Sequence, residues 1–116
     1  MFFNKSDEIF SSPQFSFKIL EDDGRSVVAD ATFQRRQVGV VTLASEAIRG
    51  TFEIVDGDVF GVFEIDADTG LITTTKSVDR ERQPTFHLKV VVAVFGSKTF
   101  SECSVRVDVE DLVSIL

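Results

Sequence analysis

The chain has 116 residues, 43% hydrophobic and 27% charged, a globular balance sized for one domain. Its formal net charge of −7 argues against nucleic acid, whose binding needs clustered Lys and Arg to displace counterions. With Cys103 as the single cysteine no internal disulfide can form, and no apolar run approaches the ~20 residues of a bilayer-spanning helix.

Apolar content leans on valine and on twelve phenylalanines, residue types that favour strands. Residues 1–12 are mixed and lead into Ser11-Ser12-Pro13, which reads as a leader or an appended segment ahead of the first strand. From Gln14, Phe15, Phe17 and Ile19 alternate with Ser16, Lys18 and Leu20, the two-residue period of a strand with one buried face. Asp22-Asp23-Gly24 marks a turn, and Val27 to Phe33 is predicted as a second strand. Residues 34–47 are less regular: a polar Gln34-Arg35-Arg36-Gln37, a short strand within Val38 to Leu43, and a helical turn at Ala44 to Ala47.

Further strands are predicted at Thr51–Val55, Val62–Ile65 and Leu71–Thr75, separated by the turns Asp56-Gly57-Asp58 and Asp66-Ala67-Asp68-Thr69-Gly70. The last third reads as a long antiparallel hairpin. Phe86, Leu88, Val90, Val92 and Val94 form one alternating series, Cys103, Val105, Val107 and Val109 the returning one, with Gly96-Ser97-Lys98 as the turn. The run Val90 to Phe95 reads as buried on both faces. About seven strands without a convincing amphipathic helix predict a sandwich or barrel.

The residues offer little for catalysis. His87 is the single histidine and has no nucleophile–base–orienter set around it. Glu64 and Asp66 share a strand face, but Phe63 and Ile65 claim the core side, so both acids face water. Asp66 and Asp68 read as turn-formers, Cys103 as a buried structural thiol, and Arg35-Arg36 as a solvated loop. There is no Gly-rich phosphate loop and no His or Cys cluster at zinc spacing.

An ordered set of words in the second half resembles a cadherin repeat. These are Phe52-Glu53-Ile54 with Gly57, Gly61-Val62-Phe63-Glu64-Ile65-Asp66, and Asp68-Thr69-Gly70-Leu71-Ile72. Val78-Asp79-Arg80-Glu81 and Phe86-His87-Leu88-Lys89-Val90-Val91-Val92-Ala93 follow, and Val105 to Asp111 closes the series. The resemblance covers 50–111 well and 13–24 loosely, through Pro13, Phe15 and Glu21. It implies a seven-strand Greek-key β-sandwich, cadherin- or immunoglobulin-like, with a single repeat over 13–112 and a tail or start of a linker at 113–116. It also implies a non-enzymatic, extracellular part of a cell-membrane adhesion protein. Its partners would be adjacent repeats and a homophilic or heterophilic cell-surface protein, without membrane insertion.

In such repeats, carboxylates at one end hold Ca2+, which takes six to eight oxygen ligands. By resemblance the ligands here are Glu21, Asp79, Glu81, Asp108 and Asp111. The sequence departs from the pattern at Glu110 and Leu112, where asparagines are usual. The customary Asp-x-Asp between the second and third strands would fall near 33–37, Phe-Gln-Arg-Arg-Gln, which has no carboxylate. A calcium junction at the N-terminal end is therefore not expected, as in the first repeat of a string or one with a calcium-free upstream junction. The alternative is a calcium-independent spacer or partner-binding sandwich.

Overall fold

A computed structural model of the chain describes residues 9–21, 35–78 and 80–110. Its strands are β1 (Gln14–Leu20), β2 (Gln37–Val40), β3 (Gly50–Asp56), β4 (Phe63–Ile65), β5 (Leu71–Thr74), β6 (Thr85–Val94) and β7 (Phe100–Glu110). They form a sandwich of two sheets, a large one in the order β1-β7-β6-β3 and a small one in the order β2-β5-β4. The chain changes layer from β1 to β2, from β2 to β3, from β3 to β4 and from β5 to β6. The all-β sandwich expected from the sequence is the observed fold.

The alternating series do what their period dictates. Phe86, Leu88, Val90 and Val92 of β6, and Cys103, Val105, Val107 and Val109 of β7, point inward and are buried. Val38, Val41, Val62, Phe63 and Ile72 meet them from the other layer. The Phe63 and Phe86 rings sit edge to face with centroids 4.8 Å apart, a geometry favoured by the ring quadrupole. Thr74 is buried as well, and its Oγ1 accepts a hydrogen bond from the Arg36 N–H at 3.0 Å. A buried hydroxyl without a partner would cost about 1–3 kcal/mol.

Several expectations meet the structure differently. The run Val90 to Phe95 is not buried on both faces: Val91 is half-buried and Phe95 is 65% exposed. The reason is that β6, antiparallel to both of its neighbours in a mixed sheet, has no layer over its outer face among the described residues. Phe10, just before β1, is 1% exposed and belongs to the core. Its segment pairs with residues 42–44, through Ser11 N–H to the Thr42 carbonyl at 2.9 Å and Ala44 N–H to the Ile9 carbonyl at 2.8 Å. The turn at Ala44 to Ala47 is a single one, closed by Ile48 N–H on the Ser45 carbonyl at 3.1 Å. The strand predicted at Val27 to Phe33 lies outside the described residues.

Candidate functional site

The pole where β7 ends gathers three segments of the chain. β1 runs parallel to β7, in register from Gln14 opposite Ser104 to Leu20 opposite Glu110, so both strands finish together. The Glu21 N–H continues the ladder by donating to the Glu110 carbonyl at 2.9 Å. The turn before β6 arrives at the same end, because Val109 N–H donates to the Pro84 carbonyl at 2.8 Å. Two backbone bonds thus bring Glu21, the segment Arg80–Pro84 and the end of β7 to one pole.

The turn is held from outside as well. The Arg82 guanidinium lies over the Phe60 ring, 4.1 Å from its centroid, a cation–π contact. Lys76 Nζ donates to the Phe60 carbonyl at 3.2 Å. The loop carrying Phe60 is folded by Asp58, whose carboxylate oxygens accept from Val62 N–H at 2.7 Å and Phe63 N–H at 3.0 Å. Neither Phe60 nor Arg82 stands out in the sequence; their contact joins segments that no local pattern relates.

The expected ligands fare differently. Glu21 is half-buried at the end of β1, and Glu81 is exposed in the turn. Asp108 lies on the outer face of the large sheet, opposite Lys18 on β1 and Thr85 on β6. It accepts from Arg106 Nε at 3.0 Å and from Thr85 Oγ1 at 3.0 Å. The Arg106 bond, helped by Thr85 and by the charge of Lys18, holds its carboxyl below the usual aspartate pKa. Asp79 and Asp111 lie outside the described residues. Among the described residues, no three His, Cys, Asp or Glu side chains stand together as a metal site. What fits a cation here is the backbone convergence and the hard oxygen character of the acids, not a finished cage.

The opposite pole uses its acids otherwise. Asp66 Oδ1 accepts from the N–H groups of Asp68 and Thr69, each at 2.8 Å, which closes the β4–β5 turn and lowers the Asp66 pKa. This is the turn-forming role expected for Asp66. Residues 41–49, which link β2 to β3, carry Glu46 as their one carboxylate. Gln37, at the end of the 33–37 stretch to which the Asp-x-Asp connection was assigned by resemblance, already belongs to β2. An acidic pair is missing from either stretch. Arg35, exposed as expected, pairs with Glu64 across the small sheet, whereas Arg36, expected to be solvated beside it, is half-buried and its Nη1 donates to the Leu20 carbonyl at 2.7 Å. His87 is exposed, and Cys103 is buried, which pushes its thiol up to about 12.

Comparison with known proteins gives a consistent picture. The family described as the cadherin domain matches residues 15–110. Over 68 residues, 55% of this chain and 1% of the relative, the sequence is 38% identical to Protocadherin Fat 4 of Homo sapiens. Over 55 residues, 47% of this chain and 1% of the relative, it is 44% identical to the Fat-like cadherin-related tumor suppressor homolog of Drosophila melanogaster. The chain thus spans about 1% of the length of these curated relatives. Among solved structures, the Protocadherin Gamma B2 extracellular cadherin domains 3-6 align over 88% of this chain and 22% of that one, at 28% identity and a TM-score of 0.68. The human Desmocollin-1 ectodomain aligns over 87% and 19%, with a TM-score of 0.70 and 24% identity, a likeness of fold.

Proposed function

Because the chain belongs to the cadherin domain family, whose domains are adhesion modules and not enzymes, we propose that it is one extracellular repeat of a longer cell-surface adhesion protein, stiffened by calcium at its C-terminal pole. The observation that carries this reading is the pair of backbone bonds, Glu21 to Glu110 and Val109 to Pro84, which draws acidic segments to the pole where a following repeat would begin. Calcium supplies a divalent charge that lets carboxylates from separate segments share one small volume without repulsion. Glu21, Asp79, Glu81 and Asp111 are the ligands, and Asp108 joins them if it exchanges Arg106 and Thr85 for the ion. At the opposite pole the single acid of 41–49 and the committed Asp66 favour a calcium-free upstream junction. Adjacent repeats and a cell-surface protein are the partners.

The calcium-independent spacer draws its support from Asp108, already satisfied by Arg106 and Thr85. Thermal unfolding separates the two readings. Extracellular calcium modules bind at ~0.1–1 mM, and a ligand at tenfold its Kd stabilises by about 1.4 kcal/mol. At 10 mM calcium the Tm should therefore rise by several degrees over chelator, with no rise in magnesium and a smaller one in Glu81→Gln. No rise, either in this chain or in one extended by a following repeat, would leave the calcium-free spacer.

A further inference from the structure

The outer face of the large sheet carries its charges in bands, and cross-strand register fixes their order. Nearest the β6–β7 turn, Thr51, Ala93 and Phe100 lie side by side. The next row is Glu53, Val91 and Glu102. Then comes Lys89 beside Ser104, with Gln14 on β1 and Asp56 at the β3 edge, and after it His87, Arg106 and Ser16. A row that exposes Phe100 therefore borders an acidic row, which borders a stretch carrying Lys89 and Arg106. Asp56 is turned aside, its Oδ1 accepting from Gly57 N–H at 2.9 Å. Glu53, Glu102 and Lys89 are exposed, and among the described residues they form no ion pair and no side-chain hydrogen bond. Phe100 is 68% exposed, a large apolar surface left on the same face.

We infer that this face binds a second copy of the chain, face to face with strands antiparallel, about a two-fold axis between the Glu102 and Ser104 rows. That operation lays each acidic row over the partner's Lys89 row, and each Phe100 over the partner's Arg106. Both contacts occur twice, as a two-fold requires. Stacking the strands parallel would set acid over acid and base over base, so charge selects the antiparallel arrangement. A guanidinium over a phenyl ring is attractive in its own right. Rows of three or four residues, with strands about 4.8 Å apart and rows about 6.8 Å apart, cover roughly 400 Å² per partner, below the ~800 Å² of a standard interface. The isolated chain should therefore pair weakly. The inference stands without the calcium reading, since none of the proposed ligands lies in these rows.

Charge exchange tests it. Sedimentation equilibrium in chelator, taken to millimolar protein, should show a monomer–dimer equilibrium for the native chain. Glu102→Lys and Lys89→Glu should each weaken it about tenfold, by opposing like charges. An equimolar mixture of the two variants should associate as tightly as the native chain, because the mixed pair has both contacts matched. Phe100→Ser should weaken the pair several-fold, whereas Phe95→Ser, outside the rows, should not. Amide spectra check that each variant is folded. A native chain that stays monomeric, or a mixture no tighter than its separate variants, overturns the proposal.

Discussion

At the C-terminal pole, backbone bonds from Glu21 to Glu110 and from Val109 to Pro84 draw separate acidic segments together, whereas at the opposite pole the acid Asp66 closes on its own backbone. The same residue type thus serves two ends of one sandwich in different ways. An aspartate two residues before free N–H groups satisfies itself locally and is spent as a turn-former. Acids brought to one pole by separate segments are instead held near one another by backbone pairing, Glu21 beside Glu110 and the turn before β6 beside the end of β7. The chain's acidity is therefore better understood pole by pole than as a total.

Turn glycines give the largest expected contrast between the poles. Gly57, towards the C-terminal pole, has φ +91°, and a Cβ there would stand 1.8 Å from the His87 carbonyl oxygen. Gly57→Ala forces backbone apart as well as into the left-handed region, and should cost about 3 kcal/mol or more in urea denaturation. Gly96, in the β6–β7 turn at the other pole, has φ +85° with nothing within 4 Å of such a Cβ. Gly96→Ala should cost only the left-handed conformation itself, about 1 kcal/mol. Equal losses would contradict the tight approach of the β3 turn to β6.

Calcium affinity should divide in the same direction. Glu21→Gln and Glu81→Gln should each weaken binding about tenfold or more, roughly 1.4 kcal/mol, by removing a charged oxygen ligand. Glu46→Gln and Asp68→Asn, at the opposite pole, should leave it unchanged in the same calorimetric titration. If the second pair weakened binding instead, the poles would have to be exchanged.

Acid titration gives a smaller effect. Asp66 and Asp108 have folded pKa values below the ordinary one, so their contribution is present above about pH 4 and is lost as pH falls through the folded values. Denaturant midpoints between pH 6 and pH 2.5 should fall less steeply in Asp66→Asn and Asp108→Asn than in the native chain. An unchanged slope would mean that neither carboxylate gains from its folded partners. Smallest of all is the readout at Cys103. With the thiol raised to about 12 by burial, it should react with a disulfide reagent at pH 8 only at the rate of opening.

The β6–β7 hairpin was legible because its strands are long and cross a core covered on one side, so alternation repeats many times. In the small sheet, β4 and β5 lie where the turns around them placed strands, whereas β2 was only loosely placed within Val38 to Leu43. It has four residues, too few for a period to emerge, and Val38-Gly39-Val40 mixes buried and exposed positions. Phe10 was missed because one phenylalanine in a polar stretch carries no period, although it fills the core beside the bridge to Leu43. At the pole, the words around Glu21 and Arg80-Glu81 lie on segments that the backbone bonds bring to one end. The bonds of Asp108 were not legible, since Thr85 faces it across strands and Arg106 is two residues back on the same face. The Arg82–Phe60 contact likewise depends on tertiary approach.

The central claim, that the C-terminal pole is the calcium-responsive end of this repeat, is tested most directly by following backbone amide shifts during a calcium titration with magnesium as control. The account predicts saturable shifts confined to Glu21, residues 79–84 and residues 108–111, with none at Glu46 or Asp66–Gly70 and none in magnesium. Shifts centred on the opposite pole would contradict it, and so would silence in both this chain and one joined to a following repeat.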